Sequence, residues 1–180
     1  GTHVAQAGSL VDSNHLRFDF SHFEAMTKEQ LKEAEDKVNR AILSCMPIIV
    51  RELPQDEAKK LGAEAQFGEK YGDVVRAVSM GDYSIEFCGG THLTNTAEIG
   101  LFKLISESGV AAGTRRIEAV TGSGVLEYIA QKDALIEKTA VSLKANNINE
   151  IDMKAEQLSA ELRDTKKKLE ALNAKMAGSK

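Results

Sequence analysis

Cys88 and His92, separated by Gly89, Gly90 and Thr91, are the pair in this 180-residue sequence with the clearest capacity for chemistry. A thiolate and an imidazole four positions apart can hold one zinc ion from a helical turn or a compact loop. The intervening glycines let the backbone fold tightly and leave N–H groups open to a ligand. A zinc centre needs two further ligands, or one and a water. His3, His15, His22 and Cys45 remain as candidates, and none is paired with another at ligand spacing. Cys45 falls on the apolar face of a predicted helix and reads as core. His22 follows a predicted strand and reads as a structural hydrogen-bonding residue, and His3 reads as incidental. Spacing alone therefore displays half a metal site. Asp19 and Glu86 have the chemistry of general bases, but their places on strands read as solvated strand-face carboxylates.

The elements that must position this loop are mixed. Leu16, Phe18 and Phe20 alternate with Arg17 and Asp19, as in a half-buried strand. Thr27 stands three residues before Gln30, a capping-box spacing. The helix it opens carries Leu31, Ala34, Val38, Ile42 and Cys45 at steps of three and four, and Pro47 stops it. A strand over 48–50 and a short helix from Pro54 to Leu61, closed by Gly62, follow. Val74 to Met80, Tyr83 to Phe87, Leu101 to Ser106 and Arg116 to Val120 read as strands, with Gly81-Asp82 turning between the first two. Connections this short suit antiparallel pairing, so the expected class is α+β: a mostly antiparallel sheet with packed helices.

Composition changes near Gly122-Ser123-Gly124, which predicts one domain over 1–123 and a helical segment over 124–180. One helix runs from Gly124 to about Lys144, and Asn146-Asn147 breaks it. In the next, Ile151, Ala155, Leu158, Leu162, Thr165, Leu169, Leu172 and Met176 form a heptad seam. An antiparallel hairpin with the preceding helix is favoured over an intermolecular coiled coil, because the break is short enough to reverse the chain. Self-association through the last helix is the alternative. Lys166-Lys167-Lys168 reads as a solvated face.

A hydrophobic fraction of 42% supports one sizeable core, and a net charge of −4 confines any nucleic-acid contact to a local patch. Two cysteines, no secretory signal and no long apolar run point to a reducing, cytoplasmic setting without a membrane. The absence of an initiator Met and the close on a charged helical pattern read as a piece of something longer.

Several linked motifs, taken in order, resemble the editing domain of alanyl-tRNA synthetases. They are Gln6-Ala7-Gly8-Ser9-Leu10-Val11, Leu16 to His22, and Cys88-Gly89-Gly90-Thr91-His92. Gly100 to Lys103, Ser106 to Gly109 and Gly113 to Gly122 extend the match over nearly the whole chain, and the helical tail is similar to the family's connector. The resemblance implies hydrolysis of Ser-tRNA(Ala) and Gly-tRNA(Ala) by an enzyme whose ATP-binding part lies elsewhere. It implies Zn2+ held by Cys88, His92 and a His-x-x-x-His pair expected upstream of Gly1, so activity of this piece is expected to be impaired. Gln6, Gly89 and Gly90 are the implied catalytic contacts. Lys103, Arg115 and Arg116 are candidates for tRNA phosphates, although a strand-face role is favoured for their charges. The implied partners are tRNA(Ala) mischarged with Ser or Gly and the rest of the synthetase. A free-standing deacylase of the same superfamily and a non-catalytic tRNA-binding or coiled-coil module are the alternatives.

Overall fold

The computed structural model describes residues 3–64 and 71–177. Its elements are β1 (Gln6–Val11), β2 (Leu16–Ser21), α1 (Lys28–Leu43), β3 (Ile48–Pro54), α2 (Gln55–Lys60), β4 (Val74–Met80), β5 (Ser84–Phe87), β6 (Phe102–Ala111), β7 (Thr114–Thr121), α3 (Ser123–Leu143) and α4 (Ile151–Ala177). A 3-10 turn over Thr96–Ile99 precedes β6. The class is α+β, with two antiparallel sheets ordered β1-β2-β7-β6 and β3-β4-β5. The chain divides into compact units, Gly1–Leu126 and Glu127–Lys180.

Local chemistry explains most boundaries. Thr27 and Gln30 form the expected reciprocal capping box at the start of α1. Gly62, with φ 84°, takes the left-handed position that follows α2. Gly81, with φ 51°, supplies the turn between β4 and β5. β6 runs on to Ala111 and meets β7 through Gly113, so this hairpin is longer than the sequence pattern suggested.

The three-stranded sheet is covered by α2, and the two share a core of Ala58, Ala63, Val75, Ala77 and Phe87. On the four-stranded sheet, Phe20 and Ala119 are buried. Thr96 links α1 to the segment before β6: its backbone N–H bonds to the Met46 carbonyl, and its hydroxyl reaches Ala41 and Ile42.

One strand was not expected, and two expectations are corrected. The segment around Gln6, to which the sequence pattern assigned no element, is strand β1, with a bulge between Gln6 and Gly8. Cys45 is exposed rather than core, because α1 stops at Leu43 and Cys45 turns into the left-handed region at φ 52°. The hairpin does not close over the heptad seam. Burial at the turn is limited to residues such as Ala140, Leu143, Ile151 and Ala155, and α4 is exposed from Glu156 to Ala177. Leu162, Leu169 and Leu172 are each 57–58% exposed. Among the described residues, no helix is long and apolar enough to cross a membrane.

Candidate functional site

The loop that carries Cys88 and His92 leaves β5 and has no regular secondary structure, so it must be held by specific contacts. Arg76, on β4, supplies them. Its Nη1 donates to the Cys88 carbonyl at 2.8 Å and to the Gly90 carbonyl at 2.5 Å, and lies 3.4 Å from His92 Nδ1. The Cys88 N–H in turn donates to the Arg76 carbonyl at 3.1 Å. Cys88 is half-buried, while Gly89 through His92 are exposed. Sequence reasoning missed Arg76 altogether.

The glycines are not forced by backbone strain. A Cβ built on Gly89 would meet nothing within 4 Å, and one on Gly90 would sit 3.6 Å from Cys88 Sγ. Tight turning is therefore not what the geometry demands of them, and open space beside Gly89 is its plainest property.

Among the described residues, no third His, Cys, Asp or Glu joins Cys88 and His92 in a group able to hold a metal. A closed zinc centre takes four ligands. The donor set among the described residues does not by itself complete one.

The other candidates lie on the four-stranded sheet. Gln6 is exposed on the edge strand β1, its Nε2 donating to Ser9 Oγ at 3.3 Å. Lys103 pairs with Glu35 at 2.9 Å. Arg115 forks onto Glu107 through Nε at 2.5 Å and Nη2 at 2.8 Å. Arg116 forks onto Asp19 in the same way at 2.7 and 2.8 Å. Each of these cations is already paired with a carboxylate. Glu86, the other carboxylate weighed as a base, is exposed and accepts a hydrogen bond from Ser84.

Asp19 is consequently not a solvated carboxylate; its side chain is 13% exposed. The hydrogen bonds from Arg116 hold its carboxyl below the usual range, against the opposing effect of burial. Because the folded value is lower than the unfolded one, the stabilisation is complete above the unfolded pKa of about 3.9 and is lost as pH falls through the folded value. Urea unfolding of the wild type and Asp19→Asn should therefore show a wild-type advantage at neutral pH that shrinks below about pH 4. An advantage independent of pH from 7 to 3 would contradict this assignment.

His22 is a hydrogen-bonding residue, as its position suggested. Its partner is a correction: His3, read as incidental, places Nε2 2.8 Å from His22 Nδ1 with the rings stacked at 5.1 Å. Beside them a cleft of about 480 Å³ is lined by Phe18, Phe20, Met26 and Ile117, among others. Nothing in the sequence spacing signalled the pair, because the rings are brought together by β1–β2 pairing.

The family described as "Threonyl and Alanyl tRNA synthetase second additional domain" matches residues 75–118, which include Arg76 and the whole Cys88–His92 loop. Over 176 residues, 98% of this chain, the sequence is 54% identical to an alanine–tRNA ligase of Bacillus subtilis (strain 168). Over 177 residues, also 98% of the chain, it is 53% identical to an alanine–tRNA ligase of Clostridioides difficile (strain 630). A Bacillus velezensis alanine–tRNA ligase is 52% identical over 176 residues. In each case the chain spans 20% of the relative's length.

Proposed function

The chain is a segment of the alanine–tRNA ligase family, about a fifth of its members' length, and from that premise we propose that it serves hydrolytic proofreading. The substrates in this reading are the seryl and glycyl esters of tRNA(Ala). A pocket for a small side chain discriminates poorly against close analogues, by roughly 10–200-fold, so a second hydrolytic sieve is the physical remedy. One observation carries the reading: the exposed Cys88–His92 loop is fixed by Arg76 inside the matched domain.

The chain's own residues have distinct roles in this reading. Gly89 and Gly90 offer backbone N–H groups to the ester oxygen, and Gln6 hydrogen-bonds the aminoacyl group. Lys103 is the best placed of the three basic candidates to meet a phosphate, because its side chain is 37% exposed and single-paired. Arg115 and Arg116 would each have to exchange a two-pronged carboxylate contact for a phosphate. tRNA(Ala) and the remainder of the ligase are the proposed partners, and the cytoplasm the proposed setting. ATP chemistry belongs to the parent outside this chain.

The test is deacylation of Ser-tRNA(Ala) and Ala-tRNA(Ala) by this chain with added zinc, beside a Cys88→Ala control. We expect slow cleavage of the seryl ester, a spared alanyl ester and an inactive control. No cleavage by this chain, repeated after joining it to the native upstream segment, would leave a tRNA-binding module and sink the hydrolytic reading.

A further inference from the structure

We propose that Arg17 on β2, rather than Arg115 or Arg116, is the guanidinium that the four-stranded sheet offers to a phosphate of the tRNA backbone. The starting point is an unmet donor. Arg17 Nε is buried and has no hydrogen-bond partner, while 33% of the side chain is exposed. Its ion-pair partner Asp19 stands off at 3.8 Å from Nε to Oδ2, beyond hydrogen-bond reach. That oxygen already accepts from Arg116 Nη2 at 2.8 Å. Glu118, which faces Arg17 from β7, turns its Oε2 to the Ser106 hydroxyl at 2.7 Å. A guanidinium carries five N–H donors, and a half-buried donor without an acceptor costs stability. Among the described residues, the neighbouring carboxylates are thus engaged elsewhere, and the missing acceptor belongs to a ligand.

Strand register sets what surrounds the fork. Arg17 lies opposite Leu10 on β1 and Glu118 on β7, and Asp19 lies opposite Gly8 and Arg116. Side chains alternate across a sheet, so these residues share one face, while Phe18, Phe20 and Ile117 line the cleft on the other. Arg17 and Arg116 on this face balance Asp19 and Glu118, so no broad positive field marks it. What sets Arg17 apart is its free fork: Arg116 commits its own to Asp19, and Arg115 commits its own to Glu107. A phosphate presents paired anionic oxygens that a guanidinium fork matches. A protein carboxylate does so too, but the cores of protein interfaces are depleted of charge, and the neighbours here are Asp19, Arg116, Glu118 and Ser106. The choice of ligand rests on the proofreading reading, whose substrates are esters of tRNA, and the contact itself involves no ester chemistry.

The experiment is fluorescence anisotropy of a labelled tRNA(Ala) transcript with the full chain, over a range of salt concentrations, for the wild type, Arg17→Gln and Arg17→Lys. The wild type should bind, and Arg17→Gln should bind about tenfold more weakly, the scale of one hydrogen-bonded charge contact. The slope of log affinity against log salt should also become shallower by about one. Lysine keeps the charge without the fork and should fall between the two. Thermal melts supply the readout for a structural role. Arg17→Gln loses no hydrogen bond within the chain, so it should melt within about 3 °C of the wild type or above it. A larger fall would make Arg17 a structural residue and overturn the proposal. It is also overturned if the wild type does not bind, or if Arg17→Gln binds with unchanged affinity and slope. Binding that depends on Arg17, in a chain that cleaves no ester, would leave this proposal standing and count against the hydrolytic reading alone. Seryl-ester cleavage together with RNA binding indifferent to Arg17 would do the reverse.

Discussion

Phe87→Ala is expected to lower the stability of the chain by about 3–5 kcal/mol, the usual cost of emptying a buried aromatic site. Phe87 is 3% exposed at the end of β5, and its neighbours in the core include Ala58 at 0%, Ala63 at 9% and Ala77 at 4%. Tyr71 meets it edge-on, with ring centroids 5.1 Å apart. Alanines have no rotamer to swing into a vacated space, so the cavity would stay largely open and the cost should fall near the upper part of that range. Phe87→Leu fills most of the volume and should cost markedly less. Urea unfolding followed by circular dichroism measures both. A loss below about 1 kcal/mol for the alanine variant would mean that α2 and the sheet collapse onto each other. The residue also matters for the site, because Cys88 comes next in the chain. A loosened β5 would release the loop from one end while Arg76 holds it from the other.

What could be read from the sequence was what depends on neighbours in sequence. Thr27 and Gln30 announce the start of α1 because both halves of a capping box lie within four residues. Gly81 and Asp82 announce the β4–β5 turn for the same reason. Cys88 and His92 stand out as a chemistry-bearing pair on the same ground, as their spacing is local. β1 was not visible as a strand: it is an edge strand exposed along nearly all its length, so burial imposes no period-two pattern on it. The pairing of Asp19 with Arg116 spans 97 positions and needs β2–β7 register to bring it about. Arg76 was invisible for a different reason. Its main partners are backbone carbonyls, and a contact to a carbonyl leaves no residue-type signature at the other end. The seam of α4 shows the converse limit: heptad spacing marks a face that could be covered, while the exposure of Leu162 and Leu169 shows that α3 does not cover it.

Thr96→Val should cost about 1–3 kcal/mol although it barely changes shape, because it removes a hydroxyl whose partners cannot turn to water. Thr96 is 2% exposed. Its Oγ1 accepts from the Met46 N–H at 2.9 Å and donates toward the carbonyls of Ala41 at 3.1 Å and Ile42 at 3.2 Å. Those carbonyls belong to the last turn of α1, where intrahelical donors run out, although the Ile42 carbonyl also accepts from the Cys45 N–H at 3.2 Å. Valine would strand the Met46 N–H and weaken the end of α1 at once. Thr96→Ser keeps the hydroxyl and loses only a methyl, so it should cost about 1 kcal/mol or less by methylene burial. Comparing the two by urea unfolding separates the hydrogen bonds from the volume. The substitution should also loosen the chain from Leu93 to Ile99, the downstream side of the Cys88–His92 loop. If Thr96→Val is instead as stable as the wild type, the join between α1 and that segment rests on Asn95. Its Nδ2 donates to the Cys45 carbonyl at 2.9 Å, and its backbone bridges to Pro47. In that event Asn95→Ala, not Thr96→Val, would be the substitution that frees the loop from α1.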